Sequence, residues 1–576
     1  MTSSTSVSPS VPALRRGGEG GADRLVQWGT WLLVIVLIFG PIVPVVYAGF
    51  VDRPLYESGG ILTLGNFAAL AEDPAFWAAL RNTALFALFA AVPGVVIGAG
   101  LAVLVGRTDL PLRRALSVVM VAPLLFPGLG VTLGWVTMYS PSGFVSSWAA
   151  GQLGSTPWNL YSIPGMALVT LEKTVPLVYL MVRARLSALD TSIESAALTA
   201  GAGPARVLWT VTLPMLRPAL LTAAILIVMI AFETLGLPLI LGGPVDIDTL
   251  STYLYRTWTS DPERQGTVSA AASGLLLLVT LLLWLRTRVE GDGGRYTTAA
   301  GKPSAARSLH LRALRWPLVL LVWCYALVAI VLPVVGLVMT SITNIFAPGV
   351  SPWSMLTSRH FETVFSNAAL LRSITNSLLI GVVGAVLATA GLTLAALVAH
   401  RSRFRLRASL PPVLFYPRAL PGIVVGVGTF WVFVLVAPLE PLRTTVWGIM
   451  LAFIVRNTAV GYAAIHSSLL AISTELDAAA RTSGASWLRT CRDIVVPMLR
   501  PALAGCFILM FVSLLNDYDP AVFLVTTGNE VLGVTMLKQW AAGFTGPVAA
   551  LGVIQIAITA LAVSIGRLAW GVRPRA

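Results

Sequence analysis

Charged side chains make up only 11% of this 576-residue chain, against 56% hydrophobic ones. A typical soluble domain carries roughly 25% charged residues, so the composition argues against a water-covered globule and for a bilayer as the solvent. Cysteine is nearly missing: Cys324, Cys491 and Cys506 are an odd number with no paired spacing, so no disulfide framework or cysteine metal site is expected. The four histidines, His310, His360, His400 and His466, are dispersed. Catalytic signatures are missing as well. A phosphate-binding loop needs G-x-x-x-x-G-K-[ST], and the nearest decoy, Gly301-Lys302, has Pro303 in place of Ser/Thr and Tyr296 in place of the first Gly. Neither H-E-x-x-H nor G-x-S-x-G occurs. An enzyme is therefore not expected: no catalytic residue, no metal ligand and no cofactor is assigned to this chain.

What the chain has in abundance is apolar sequence. A membrane span needs about 20 mainly apolar residues, and twelve stretches qualify. In the first half they lie at 26–50, 77–105, 115–140, 164–185, 218–242 and 266–287, and in the second at 315–343, 372–399, 409–437, 444–466, 501–527 and 546–570. The runs are continuous, whereas barrel strands alternate over about ten residues. The fold expected is an all-α membrane protein of about twelve transmembrane helices. The first run exceeds a signal-peptide core of about 7–15 residues and reads as a retained span.

Acids are the rarer sign, 25 against 39 Lys and Arg, for a net charge of +14. Nucleic acid would be one explanation, but the placement of the cations supplies another. Arg107, Arg113 and Arg114, then Arg183, Arg185, Arg206 and Arg217, then Arg401, Arg403, Arg405 and Arg407 fall in alternate loops, as do those of the tail and the central linker. The positive-inside rule puts both termini of this multi-pass membrane protein in the cytoplasm. The lipid bilayer is the expected partner, and nucleic acid is not.

The chain repeats itself. Pro214-Met-Leu-Arg-Pro-Ala-Leu220 recurs as Pro497-Met-Leu-Arg-Pro-Ala-Leu503. Upstream, Asn82-Thr83, Arg107 and Pro127-Gly128 match Asn376-Ser377, Arg401 and Pro421-Gly422. The offset falls from 294 to 283 between Gly128 and Lys173, which places about eleven extra residues of the first half in its external loop near Ser140 to Tyr161. The organisation expected is a tail at 1–25, a first module at 26–290, a polar linker at 291–312 and a second module at 313–576. Each module has an even number of spans, so the two six-helix bundles run parallel, related by a pseudo-twofold along the membrane normal.

The loops after the fourth span of each half are the most informative. The first reads Thr191-Ser-Ile-Glu194-Ser-Ala196-Ala197, then Gly201 and Pro214; the second reads Thr474-Glu-Leu-Asp477-Ala-Ala479-Ala480, then Gly484 and Pro497. Thr191 to Glu194 and Thr474 to Asp477 have capping-box spacing, which starts a helix by satisfying orphan N–H groups. The Ala pair permits close packing, Gly201 and Gly484 suit a positive φ that ends the helix, and Pro214 and Pro497 mark where the next span begins. The object is a short helix, a sharp turn and a second short helix on the cytoplasmic face.

This pattern of acid, Ala-Ala, Gly and a spacer ending in a hydrophobic residue and Pro resembles the EAA loop of ABC importer permeases. The resemblance covers nearly the whole chain and implies the type I ABC importer permease fold, with two modules fused in one chain. It implies docking of two copies of a cytoplasmic ABC ATPase at Glu194, Ala196, Ala197, Gly201 and Pro214 and at Asp477, Ala479, Ala480, Gly484 and Pro497. ATP and Mg²⁺ would be used by that partner, and an extracytoplasmic solute-binding protein would deliver the solute. In the family the acid directly precedes Ala-Ala; here that place is Ser195 or Ala478 and the acid sits one residue earlier, where capping explains it equally well.

Ions inside a membrane are costly and informative. Lys173 and Arg456 are equivalent, mid-span in the fourth helix of each half, and Glu233 aligns with Asn516 beside Asp517. The pairs expected are Lys173 with Glu233 and Arg456 with Asp517, as packing contacts or as groups lining a pathway, with Tyr518 and Asp519 continuing toward the outer surface. Pro123, Pro127, Pro421 and Gly422 mark expected helix breaks.

For the solute, the fused layout resembles the ferric-iron importers, with thiamine and phosphonate importers as near relatives. Phe232-Glu-Thr-Leu-Gly-Leu-Pro238 and Gly528-Asn-Glu-Val-Leu532 look most like the iron branch. A rival is the major-facilitator type of secondary transporter, which also has twelve spans; Gly106 to Arg114 superficially resembles its loop motif. The inner Gly is missing, however, and His400 to Arg407 contains no acid.

Overall fold

The computed structural model describes residues 21–189, 191–293 and 311–570. Most of the tail and of the linker, residues 1–20 and 294–310, lies outside the described residues. Among those described, nine helices are long and apolar enough to cross a membrane, and three bent pairs raise the number to twelve. The first module holds α1 (Gly21–Gly49), α2 (Pro74–Arg107), α3 (Arg113–Leu125 with Gly128–Leu153), α4 (Ile163–Ala188), α5 (Leu208–Glu233) and α6 (Pro262–Val289). The second holds α7 (Arg315–Ile342), α8 (Ala368–Arg401), α9 (Arg407–Arg418 with Gly422–Leu435), α10 (Val446–Leu470), α11 (Trp487–Met498 with Arg500–Asn516) and α12 (Thr545–Gly566). Two isolated bridges, Val51↔Leu62 and Thr343↔Leu356, are the β pairing among the described residues.

The third span of each half is not a single rod. α3 bends by 108° and α9 by 110° at the expected prolines. Phe126 and Leu420 are extended, with ψ of 143° and 114°, as residues before proline prefer. The extra residues of the first half form a helix, Phe144–Leu153, where the second half has only the 3-10 turn Ala437–Thr444.

The modules are interleaved by their first spans. The outer part of α1 packs on α6 of its own module and on α9 of the other, while α7 packs on α12 and on α3. Glycine makes both crossings possible: a Cβ on Gly134 would collide with the Pro333 carbonyl oxygen, and one on Gly428 with that of Pro41. Small residues let backbones approach in lipid, where close packing rather than water exclusion holds helices together.

The apolar runs at 218–242 and 501–527 are not continuous helices: the first breaks after Glu233 and resumes at Gly236–Leu241, and the second leaves the helix after Asn516. α5 ends at Glu233 and α11 at Asn516, because Thr234 and Asp517 turn extended. Helices Leu250–Ser260 and Leu532–Ala541 follow, each fastened by the matched polar pair of the second span. Thr83 Oγ1 accepts from Leu250 N at 2.7 Å and Ser377 Oγ from Leu532 N at 2.9 Å. Asn82 Nδ2 donates to Asp248 O at 2.9 Å, and Asn376 Nδ2 to Glu530 O at 2.9 Å.

Candidate functional site

At the face that the positive-inside pattern assigns to the cytoplasm, each module presents the expected helix and turn. The helices are Thr191–Thr199 and Glu475–Thr482. Each ends on a glycine in the left-handed region, Gly201 at φ +87° and Gly484 at φ +85°. The N–H three residues past each helix returns to close the turn, Ala202 N to Ala197 O and Ala485 N to Ala480 O, both at 3.0 Å. One alanine of each pair packs inward, Ala197 and Ala480, while Ala196 and Ala479 face out.

In the second module the acid does not cap its helix. Thr474 is already helical and its side chain makes no capping bond. Asp477 instead accepts from Arg401 Nη1 at 3.0 Å. In the first module Arg107 Nε stands 3.6 Å from Glu194 Oε1, which also accepts from Thr212 Oγ1 at 2.9 Å. The two arginines are buried at the ends of α2 and α8, and a buried guanidinium needs an anion more than an exposed helix start needs a cap. Each arginine also donates to the end of the fourth span: Arg107 Nη2 to Leu186 O at 3.0 Å, Arg401 Nη2 to Leu469 O at 2.8 Å. One guanidinium per module therefore joins the second span, the fourth span and the cytoplasmic loop. The sequence supplied both arginines as a matched pair, but their value as positive-inside markers hid this contact.

Beyond the glycines the second short helices, Pro204–Val207 and Trp487–Thr490, each run into a π turn, Leu208–Thr212 and Cys491–Val495. The identical heptapeptides that follow differ in shape. In the first module the helix passes through Pro214 without a break, since α5 begins at Leu208; in the second α11 bends by 76° between Met498 and Arg500, beyond Pro497. Pro214 therefore does not mark the start of its span. A π turn has i→i+5 bonding, so a missing proline N–H can follow it at little cost.

Deep between the modules lies a cavity of about 370 Å³ lined by Lys173, Glu233, Arg418, Arg456, Asp517 and Asp519 among others. Arg456 bonds Asp517 as expected, and Asn457 Nδ2 donates to the other oxygen of that carboxylate at 2.8 Å. Two more acids join: Asp519 Oδ2 at 2.8 Å and Glu233 Oε1 at 3.7 Å from Arg456 Nη2. Asp519 is thus inside, only 7% exposed, rather than near the outer surface. The expected pair of Lys173 with Glu233 does not form, because Glu233 at the end of α5 turns across the module boundary to Arg456. Glu172, which sequence reasoning missed, is buried and accepts from Trp135 Nε1 at 3.1 Å. The matched glycines beneath the two cations have a role after all. A Cβ on Gly128 would lie 2.5 Å from Lys173 Nζ, and one on Gly422 would lie 2.9 Å from Arg456 Cζ, so each third-span break leaves room for a fourth-span cation.

The model of a family described as "Binding-protein-dependent transport system inner membrane component" matches residues 94–292 and again 389–569. A probable ABC transporter permease of Sinorhizobium fredii is 25% identical over 89% of this chain and 91% of its own length. A ferric transport system permease of Actinobacillus pleuropneumoniae is 24% identical over 92% of this chain and 76% of its own. A sulfate transport system permease of Escherichia coli is 28% identical over 46% of this chain, about one module, and 90% of its own.

Proposed function

We infer that this chain, which belongs to the family of binding-protein-dependent transport system inner membrane components, works as both halves of an ABC importer's membrane pathway. It is a multi-pass permease subunit of the inner membrane. Two ATPase subunits dock from the cytoplasm, one at Gly201 to Pro214 and one at Gly484 to Pro497, and burn ATP with Mg²⁺. Both termini lie on that side, and a binding protein hands the solute over outside. Ferric iron is the solute we propose, since a relative matched over 92% of this chain is named for ferric transport.

The observation that carries this reading is the arginine contact repeated in both modules. Arg107 and Arg401 tie a docking loop to α2 and α4, or to α8 and α10. The fourth spans carry Lys173 and Arg456 into the cavity, thirteen residues before Leu186 and Leu469, roughly 20 Å along the helix. Closure of the ATPases would therefore reach the cavity through two stiff helices and shift the bundles between inward-open and outward-open states. The experiment is ATP-dependent uptake of ⁵⁵Fe(III) by cells carrying this permease with its ATPase and binding protein. Uptake should vanish without the ATPase; uptake that persists would favour a secondary transporter.

A further inference from the structure

The charges of the cavity are unequally engaged. All four of its acids have partners: Glu233, Asp517 and Asp519 converge on Arg456, and Glu172 is held by Trp135. Arg456 is thereby saturated. Its symmetry mate Lys173 has neither an ion pair nor a hydrogen bond among the described residues, yet it lines the same cavity and is open to it. Arg418, from the 3-10 turn Tyr416–Ala419 just before the break in α9, likewise lines the cavity without a partner among the described residues. One uncommitted cation thus comes from each module. Counted by formal charge the lining favours a cation by one unit; counted by what remains unpaired it favours an anion.

A charge kept unpaired at membrane depth is expensive and marks a pathway group by default. Gly128 adds to the argument, because a Cβ there would lie 2.5 Å from the Lys173 ammonium and push it from its present place. We propose that Lys173 and Arg418 form the anion contact of the transport pathway: the solute presents an oxyanion, a carboxylate or a phosphate- or sulfate-like group, to both modules at once. This rests on the permease reading and narrows its substrate class. Guanidinium and ammonium donors both make short charge-assisted bonds to such oxygens, and two cations from opposing modules would let the solute bridge the halves. The oxyanion could be the solute itself or a ligand travelling on a ferric ion.

The test uses the full chain in lipid nanodiscs and reads the shift of its unfolding midpoint with sodium sulfate, inorganic phosphate, citrate, ferric citrate and spermidine, each against NaCl of equal ionic strength. An oxyanion probe should raise the midpoint, with apparent affinity falling at least tenfold in K173M and in R418M and staying within threefold in K173R. A response to sulfate or phosphate alone identifies the free oxyanion as the solute. A response to ferric citrate but not to iron-free citrate places the oxyanion on the metal. No response to any oxyanion probe, a response unchanged in K173M and R418M, or stabilisation by spermidine alone overturns the proposal. If K173M does not fold, R418M and K173R decide between the same outcomes. Co-purification of the ATPase, which depends on the cytoplasmic loops, stays intact when only the anion contact is wrong and fails when the permease reading is wrong.

Discussion

Arg401 Nη1 donates to Asp477 Oδ2 at 3.0 Å, and both residues are more than nine-tenths buried. Removing one partner of such a pair leaves an uncompensated charge and costs about 3–5 kcal/mol. R401M should therefore lower the unfolding midpoint in detergent, and D477L added to it should restore part of the loss. R107M should cost less, because the Arg107 to Glu194 contact is longer and Thr212 also holds the carboxylate. A double-mutant cycle in each module measures the two couplings.

Gly201 and Gly484 test backbone strain without collision, since a Cβ at either meets no atom within 4 Å. An L-residue at their positive φ costs about 1–2 kcal/mol. G484A should lower ATP-driven uptake and weaken ATPase retention, while G484N, better suited to the left-handed region, should retain more of both. Pull-down of the ATPase at graded salt provides the comparison.

Arg456 holds three carboxylates, so R456M should leave a strongly repulsive cluster between the modules. Uptake should be lost with the ATPase still bound. E233Q removes only the longest of the three contacts, at 3.7 Å, and should keep a measurable fraction of uptake. Parallel uptake and ATPase pull-down assays separate the two effects.

At the start of α2, Asp73 accepts from Arg264 Nη2 and Tyr253 Oη, both at 2.8 Å. Burial alone would raise this carboxyl, but hydrogen bonds from Arg264, Tyr253 and the Ala75 N–H outweigh it and hold it below its ordinary value. A depressed folded pKa contributes stability that is full above the unfolded value, about 3.9. That contribution is lost as pH falls through the folded value. The midpoint difference between wild type and D73N should be constant from pH 5 to 7 and shrink below pH 4, as thermal unfolding across that range would show.

Much of this architecture was legible because lipid imposes simple rules. Apolar length gave the spans, and prolines without an N–H gave the breaks in α3 and α9. Partner choice was harder to read. Glu233, at the end of α5, meets Arg456 of the other module rather than Lys173, a tertiary fact with no local signature. Arg107 and Arg401 were visible as equivalents, yet a charge that satisfies the positive-inside rule gives no sign of also being buried. The duplicated heptapeptide is the sharpest case: one sequence is helical throughout in α5 and bent in α11, because the packing around it differs.

The number of ATPase chains retained per permease chain, read by native mass spectrometry of the purified complex, bears most directly on the docking loops. Two are predicted for the wild type, and loss of both when Gly201 and Gly484 are each replaced by valine. Two ATPase chains still bound to that double variant, or none on the wild type, would contradict docking at these loops.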